Sequence, residues 1–364
     1  MISHLRIQHF KCFQDESIEL RPLTVIAGAN GVGKSSLLQS LLLAQQALET
    51  PADHVRLNGP FFLNLGTTFD VLCQTSEART SVDIELSLDD GSTHVFQLEE
   101  RKNEPFVLHI TKRPSSLTPM DLTYLDAERM GPRDTLEMDP TASNVRNVGV
   151  RGEFTAQVLA ELDLTRVREE LRHPRTAGVG VQLGKQVELW LSDITPGIEL
   201  RATTFPGTNI SAIRLKRGGL MTEWLRPPNI GFGVSYALPV IVSGLLARPG
   251  ALFLVENPEA HLHPAGQSRM GRFLGMLAAA GVQVLVETHS DHVLNGILLA
   301  TVDTSHPLRH DQVLIQYFHG YDGKRQRAEA ITVNARGGLS VWPAGFFDQS
   351  EKDMAAILEA RRRG

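Results

Sequence analysis

The chain has 364 residues, 42% of them hydrophobic and 21% charged, and a net charge of −5 at pH 7. Its length exceeds the roughly 250–300 residues beyond which one core usually stops growing, so one large domain with insertions, or two lobes, is expected. The acidic balance argues against a dedicated, sequence-independent nucleic-acid binder, although it leaves a local basic face open. Two cysteines are too few for a disulfide framework, and no apolar run approaches the roughly 18 residues of a membrane span. We therefore expect a cytoplasmic protein without a membrane partner.

The N-terminal third predicts strands, a glycine loop, a helix and then an antiparallel meander. "HLRIQHFKCF" and "ESIELRPLTVIAG" have the apolar patterning of strands, and the second ends at Gly28. The leucines of "SSLLQSLLLAQQALE" are spaced to bury one face of a helix. From Ser81 to Lys112 the apolar period is two, in "SVDIELSL", "THVFQLEE" and "FVLHITKR", with the turn "DDGS". Strand, glycine loop and helix are the opening unit of an α/β fold.

The rest of the chain predicts an irregular middle and a return to alternating helix and strand. Residues 151–174 and 185–194 have a helical pattern, whereas "IELRATTF" and "NISAIRLKR" look extended. "GVSYALPVIVSGLLA" predicts a buried helix and "ALFLVE" a buried strand. A helix ended by Gly281, the buried strand "VQVLVE" and a helix opened by Ser290 follow. Residues 311–334 predict a hairpin, and residues 348–363 predict a terminal helix.

The stretch "GANGVGKSS", residues 28–36, matches the phosphate-binding loop pattern G-x-x-x-x-G-K-[ST]. Its glycines let backbone N–H groups turn inward around a β-phosphate, and the helix that begins at Lys34 points its positive end at the same oxygens. We expect Lys34 to bridge the β- and γ-phosphates and Ser35 to ligate magnesium. The alternative is a glycine turn that happens to precede a helix, and the strand before the loop disfavours it. The residues predicted to bind ATP here are Asn30, Gly31, Gly33, Lys34, Ser35 and Ser36.

The stretch "VENPEAHLHP", residues 255–264, predicts the acidic half of the same site. Glu256 ends a buried strand, and together with Ser35 it is expected to hold Mg²⁺, through water. In many ATPases built this way the next residue is a second acid, but here it is Asn257, an amide that cannot take a proton. We expect Asn257 to orient the attacking water while Glu256 or Glu259 accepts the proton, which predicts slow hydrolysis.

Two further side chains have open interpretations. His289 follows the apolar strand of "VLVETHSDHVL", where an imidazole can hydrogen-bond a γ-phosphate and sense its loss; the alternative is an ordinary surface or core histidine. Arg129, in "AERMGPRD", has the length to reach a phosphate as an arginine finger. Arginines beside a turn are more often solvated or ion-paired.

About 220 residues separate Lys34 from Glu256, so the two halves of the site come from distant parts of the chain. Insertion on this scale, together with "LRIQHFKCFQDESIEL", the phosphate loop, "VENPEAHLHP" and "VLVETHSDHVL", resembles the ABC-type ATPases of the RecF, SMC and overcoming-lysogenization-defect (OLD) kind. "LNGPFFLNLGTTFD", "YLDAERMGPRD", "NIGFGVSY" and "WPAGFFDQ" resemble a small prokaryotic subgroup of this class, and many members of the wider class occur in anti-phage defence operons. The resemblance implies an α/β fold, an ABC-type P-loop NTPase head with a mixed central sheet, an antiparallel β meander and an inserted helical lobe.

The resemblance also implies a division of the chain and a second ATP contact. The two parts of the head would be residues 1–135 and 226–305, the inserted lobe residues 136–225, and a C-terminal hairpin and helix residues 306–364. "NIGFGVSYALP" takes the place of the ABC signature motif, which in this class closes over the γ-phosphate held by the other protomer. Gly233 allows close backbone approach, and Ser235 offers a hydroxyl at a helix start. The residues differ from the usual signature sequence L-S-G-G-Q, so the identity of each contact with the γ-phosphate stays open. The alternative is an ordinary glycine-rich start of a helix.

The leading hypothesis is a slow ATPase, with ATP and Mg²⁺ as cofactors, that forms a homodimer around ATP and controls a separately encoded effector, in anti-phage defence. Asn257 favours an alternative, an ATP-gated scaffold or sensor with negligible hydrolysis. A RecF-like DNA-repair accessory is a third hypothesis, against which the net charge of −5 counts. The effector, the trigger, DNA binding, any oligomer beyond a dimer and the identity of the general base stay open.

Overall fold

The structure is a computed structural model that describes residues 1–76, 80–139, 146–218, 223–303, 308–321, 326–343 and 345–363. These residues form two six-stranded sheets, one three-stranded sheet and the helices packed against them. None of the helices in these ranges has the length and apolar character needed to cross a membrane.

The strands and helices cover most of the described residues. In chain order the strands are β1 (Ile2–Phe10), β2 (Phe13–Glu19), β3 (Leu23–Gly28), β4 (His54–Arg56), β5 (Ser81–Leu88), β6 (Thr93–Glu99), β7 (Val107–Lys112), β8 (Leu122–Leu125), β9 (Leu136–Glu137), β10 (Ile198–Thr204), β11 (Ile210–Arg217), β12 (Leu252–Glu256), β13 (Gln283–Glu287), β14 (Val313–Tyr321) and β15 (Gln326–Thr332). The α-helices are α1 (Lys34–Glu49), α2 (Thr68–Val71), α3 (Thr155–Leu162), α4 (Leu183–Ile194), α5 (Phe232–Leu246), α6 (Pro264–Ala279), α7 (Asp291–Val302) and α8 (Gln349–Arg363).

The central sheet brings distant parts of the chain together at one edge. Its strand order is β15-β14-β3-β13-β12-β8, with β15 antiparallel to β14 and every other pair parallel, which is the predicted mixed sheet. All residues of β12 and β13 are buried, as expected for parallel strands covered on both faces. Ile26 pairs with Glu287, and Glu287 pairs with Glu256. The carboxyl ends of β3, β13 and β12 therefore lie side by side.

The N-terminal sheet is antiparallel, in the order β2-β1-β5-β6-β7-β4, and it contains the predicted meander. Along β5, Val82, Ile84 and Leu86 are fully buried and their neighbours are not, which is the period-two pattern read from the sequence. This buried face packs with the leucines of α1 in one hydrophobic cluster. The sheet thereby fixes α1, the helix that starts at the phosphate loop, against the central sheet.

The middle of the chain, predicted as an inserted lobe, contains α3, α4 and a three-stranded sheet in the order β10-β11-β9. The predicted helix over residues 151–174 is wrong beyond Leu162. The backbone N–H of Val167 donates to the Val181 carbonyl at 2.9 Å, and that of Leu183 donates to Thr165. These long-range hydrogen bonds hold the segment in turns, and they override its helical pattern.

The C-terminal elements follow the sequence pattern. Ser290 accepts a hydrogen bond from the backbone N–H of Val293 at 3.1 Å and opens α7 as predicted. The predicted hairpin is β14 and β15, and its turn, residues 322–325, lies outside the described residues. The terminal helix is α8.

Candidate functional site

The predicted phosphate loop joins β3 to α1 in the conformation that the motif requires. Gly31 and Gly33 have φ of 77° and 94°, in a backbone region that residues with a Cβ rarely adopt. A Cβ at Gly33 would lie 2.5 Å from the Sγ of Cys12, so close packing also requires glycine there. The N-terminus of the 16-residue α1 follows at once, and its free N–H groups favour an anion.

A cavity of about 400 Å³ opens beside this loop. It is lined by Lys11, Cys12, Asn30, Gly31, Gly33, Lys34, Ser35, Ser36, Gln39, Glu287 and His289. All six residues predicted to bind ATP in the loop are in this set, and so is the predicted switch histidine. The structure therefore places them around one space of the size that ligand pockets have.

Glu287, at the end of β13, contacts the loop directly, and sequence reasoning gave it no role. Ser35 Oγ donates to Glu287 Oε2 at 2.9 Å, and Lys34 Nζ lies 3.7 Å from Glu287 Oε1. Burial raises the pKa of Glu287 and lowers that of Lys34, and in each case the partner's charge opposes the shift. The signal was available: Glu287 ends a buried apolar strand, as Glu256 does.

Glu256, the acid predicted from the sequence, lies on the next strand and is 7% exposed. Its Oε1 accepts a hydrogen bond of 2.8 Å from the hydroxyl of Tyr124 on β8, and its Oε2 accepts none from the described residues. Burial, and then the neighbouring charge of Glu287, raise the pKa of Glu256 to about 7. A carboxylate with this pKa and a free oxygen suits proton transfer near neutral pH.

Glu259 contacts the switch segment rather than the phosphate loop. Its Oε2 accepts from Thr288 Oγ1 at 2.7 Å, and its Oε1 accepts from the backbone N–H of His289 at 2.8 Å. The His289 side chain is exposed at the cavity, yet partial desolvation, followed by the charge of Lys34, lowers its pKa. Since both Glu259 oxygens already accept hydrogen bonds, this carboxylate is less available as a base than Glu256.

Asn257 leaves β12 with a φ of 44°, in the left-handed region that is unusual for a residue other than glycine. Its backbone N–H donates to the Glu287 carbonyl at 2.8 Å. The side-chain oxygen is buried and has no hydrogen-bond partner in the described part of the chain. An unsatisfied amide oxygen on the residue that follows Glu256 fits the predicted role in orienting a water molecule.

The position of Arg129 shows that the arginine finger considered from the sequence is wrong. The side chain is 1% exposed and does not line the phosphate cavity. Its guanidinium donates to the backbone carbonyls of Glu256 and Asn257, both at 2.6 Å. The alternative interpretation, a solvated or ion-paired side chain, is wrong as well.

The signature-like segment lies apart from the phosphate cavity of its own chain. Gly231 and Phe232 begin α5, and Gly233 packs so closely on the acidic loop that a Cβ would lie 2.9 Å from the His261 carbonyl oxygen. Ser235 lines a separate cavity behind α5. The structure thus does not bring Gly233 and Ser235 to the loop residues within one chain.

The residues around Ser35 fit a magnesium ion. Two buried carboxylates, Glu256 and Glu287, lie near one ammonium, Lys34, so the fully ionised cluster has an excess of negative charge. Magnesium in nucleotide sites is usually held by one or two carboxylates together with substrate phosphates. Within the described ranges, no group of three or more His, Cys, Asp or Glu side chains forms a metal site by itself. Phosphate oxygens would therefore have to complete the ligand set.

Comparison with known proteins finds three domain families along the chain. Residues 1–116 match "AAA ATPase domain", residues 153–295 match "AAA domain, putative AbiEii toxin, Type IV TA system", and residues 308–357 match a protein of unknown function, DUF3696. The first two matches contain the phosphate loop and the acidic and switch segments, respectively.

Among curated proteins, the OLD nuclease of Thermus scotoductus (strain ATCC 700910 / SA-01) is 22% identical over 398 aligned residues, which cover all of this chain and 70% of that protein. The Smc head bound to the C-winged-helix domain of ScpA matches with a TM-score of 0.55 and 14% identity, over 92% of this chain and 98% of that one. The Smc head with an extended coiled coil, bound to the C-terminal domain of ScpA derived from Pyrococcus furiosus, gives the same score and identity over 99% of both chains. These matches confirm the fold class and the resemblance to ABC-type ATPases of the RecF, SMC and OLD kind.

Proposed function

We propose that this chain, an ABC-type ATPase head of the RecF, SMC and OLD kind, binds ATP and Mg²⁺ at the phosphate loop and hydrolyses ATP slowly. One observation carries the proposal: Lys34 and Ser35 meet Glu287 at a cavity that His289 also lines. Glu256 ends the adjacent strand, in register with Glu287. Phosphate-binding, metal-holding and proton-accepting groups are thereby gathered at one sheet edge.

In the proposed mechanism, the loop N–H groups, the N-terminus of α1 and Lys34 bind the phosphates. Lys34 Nζ now donates to the Ala29 carbonyl at 2.7 Å, and it would exchange this bond for phosphate oxygens. Ser35, Glu256 and Glu287 would hold magnesium, which neutralises charge on the transferring phosphoryl group when it is bound.

Water activation falls to the end of β12. Asn257 can orient a water molecule but cannot accept its proton, so the proton passes to the free Oε2 of Glu256. Glu259 holds Thr288 and the backbone of His289, and it thereby sets the position of the imidazole towards the γ-phosphate. We expect slow turnover because one carboxylate, that of Glu256, has to bind the metal and also accept the proton.

The signature-like segment is proposed to act on a second copy of the chain. Gly233 and Ser235 do not line the cavity of their own protomer, and the N-terminus of α5 is exposed at Gly231 and Phe232. In a head-to-head homodimer this terminus would close over the γ-phosphate of the partner, so ATP would hold the dimer together.

The wider role proposed is control of a separately encoded effector in anti-phage defence. Its support is the resemblance to a class found in defence operons and the match to a domain family described with a toxin–antitoxin system. Copurification from the native operon with ATP and Mg²⁺ tests this role. Recovery of the chain alone under those conditions would count against an effector.

The dimer is tested by elution size with and without ATP and Mg²⁺. We expect the wild type to shift to twice its mass with both present and Lys34→Ala to remain monomeric, because the variant lacks the ammonium that binds the phosphates. An unchanged wild-type size would remove the dimer from the proposal.

Asn257 keeps a second function open, an ATP-gated scaffold with negligible hydrolysis. This alternative predicts the same ATP-dependent dimer but no ADP. Measuring both the elution size and the product therefore distinguishes the two functions.

A further inference from the structure

The most unusual buried group outside the phosphate cavity is the guanidinium of Arg129, the largest fully buried side chain among the described residues. None of the carboxylates in the described ranges lies within 4 Å of it, although the charges of Glu259, Asp126 and Glu256 act on it from farther away. Burial of a charge without a paired counter-charge is costly, so such a side chain is retained where it performs a specific task. Its contacts show what that task is.

One side of the guanidinium holds the end of β12. Nη1 donates to the carbonyls of Asp126 and Glu256, and Nη2 donates to that of Asn257. These bonds fix the backbone at the point where Asn257 takes its left-handed conformation. A planar fork of donors suits this task, whereas a lysine ammonium does not reproduce it.

The other side of the guanidinium contacts the start of α5. Its central carbon lies 5.5 Å from the centroid of the Tyr236 ring, a cation–π distance. Tyr236 and Phe232 also pack against His261 of the acidic loop, with ring centroids 4.5 and 5.1 Å apart. Gly131, two residues after Arg129, abuts Phe232, since a Cβ there would lie 3.3 Å from its ring.

We infer that Arg129 is a positioning residue that joins the catalytic end of β12 to the signature-like turn of α5 within one protomer. Through Asn257 and Tyr236, the geometry of the strand end and that of the helix start are set together. This inference rests on the proposed function, since it assigns a further role to residues of the proposed ATP dimer.

The consequence for a head-to-head dimer is communication between its two sites. Glu256 and Asn257 of a protomer serve the ATP bound to that protomer, whereas its α5 serves the ATP bound to the partner. A rigid link between them lets ATP at one site position the signature for the other. The two sites should therefore turn over cooperatively.

The test compares Tyr236→Leu, which removes the aromatic face, with Tyr236→Phe, which keeps it. ATPase rates are measured against ATP concentration for the full chain with Mg²⁺. We expect a Hill coefficient above 1 for the wild type and for Tyr236→Phe, and a coefficient near 1 for Tyr236→Leu. For Tyr236→Leu, kcat should fall about tenfold, while the ATP affinity of the isolated protomer changes less than about twofold.

A second variant, Arg129→Lys, separates positioning from general damage to the fold. If both residues act through one link, the kcat loss of the double variant Arg129→Lys/Tyr236→Leu should be no greater than that of either single variant. Multiplicative losses, or an unchanged Hill coefficient in Tyr236→Leu, would overturn the inference. A wild type without ATP hydrolysis or ATP-dependent dimerisation would instead refute the proposed function.

Discussion

The ends of β12 and β13 look equivalent in the sequence, yet their surroundings differ. Each strand is a buried apolar run that ends in a glutamate, and Glu256 and Glu287 are register partners. Glu287 contacts Lys34 and Ser35, whereas Glu256 accepts a hydrogen bond from Tyr124 and keeps one oxygen free. Strand order creates this difference, because β13 lies between β3 and β12. The comparison suggests that Glu287 mainly binds the metal and contacts the loop, and that Glu256 also accepts the proton.

The largest expected effect belongs to Glu256→Gln. Loss of a general base typically lowers a rate by about 10²–10⁴-fold, so this variant should bind ATP but hydrolyse it at least about 100-fold more slowly. Slow hydrolysis should trap an ATP-bound dimer, visible as a persistent shift in elution size. Turnover at the wild-type rate would show that both the metal role and the base role given to this strand end are wrong.

Glu287→Gln is the matched variant on the neighbouring strand. Because Glu287 is proposed to hold Mg²⁺ and contacts Ser35 and Lys34, the concentration of Mg²⁺ needed for half-maximal activity should rise at least about tenfold, since even loss of a side chain that only orients a metal ligand costs about 10–100-fold in metal affinity. At saturating Mg²⁺, kcat should recover more than in Glu256→Gln. A Mg²⁺ titration of both variants checks this, and identical curves would remove the distinction between the two carboxylates.

Tyr124→Phe tests the feature that distinguishes Glu256 from Glu287. It removes one oxygen, which donates to Glu256 at 2.8 Å, and keeps the ring. A single hydrogen bond to a charged group contributes about 1.5–3 kcal/mol, much of which water can replace, so we expect kcat to fall about 3–10-fold. The Mg²⁺ requirement should stay at the wild-type value. A shifted Mg²⁺ requirement with an unchanged kcat would place Tyr124 in the metal site instead.

The smallest expected effect is the change in the stability of the metal-free protein with pH. Folding raises the pKa of Glu256 from 4.5 to about 7, so its protonated form favours the folded state. That stabilisation is complete below about pH 4.5 and is lost as the pH rises through 7. In EDTA, the melting temperature of the wild type should fall by a few degrees more than that of Glu256→Gln between pH 5 and 8, roughly as expected for a protein of this size. Parallel curves would contradict the raised pKa.

Sequence reasoning succeeded where the site is contiguous. The phosphate loop, its strand and its helix are encoded within residues 23–49, and local patterning is enough to recognise them. It also singled out Glu256, which directly follows a buried apolar run, and His289, two residues beyond the end of β13; the roles assigned to them stay predictions.

Sequence reasoning did not predict the parts of the site that depend on contacts between residues far apart in the chain. Ser35 and Glu287 are 252 positions apart, and Arg129 and Glu256 are 127 apart, so their contacts depend on strand order and on the insertion of a whole lobe. β8, which carries Tyr124, is four residues long and has too short a pattern to predict. The helix expected beyond Leu162 was lost for a related reason, because backbone pairing with residues 181–183 replaced its local preference.

Single-turnover hydrolysis is the decisive test of whether this chain hydrolyses ATP with the residues at the end of β12. Wild-type protein in excess over labelled ATP, with saturating Mg²⁺, is followed for ADP over hours beside Lys34→Ala. We expect slow but complete conversion by the wild type and no conversion by Lys34→Ala. No product from a wild type that binds ATP and dimerises, or equal product from both proteins, would contradict it.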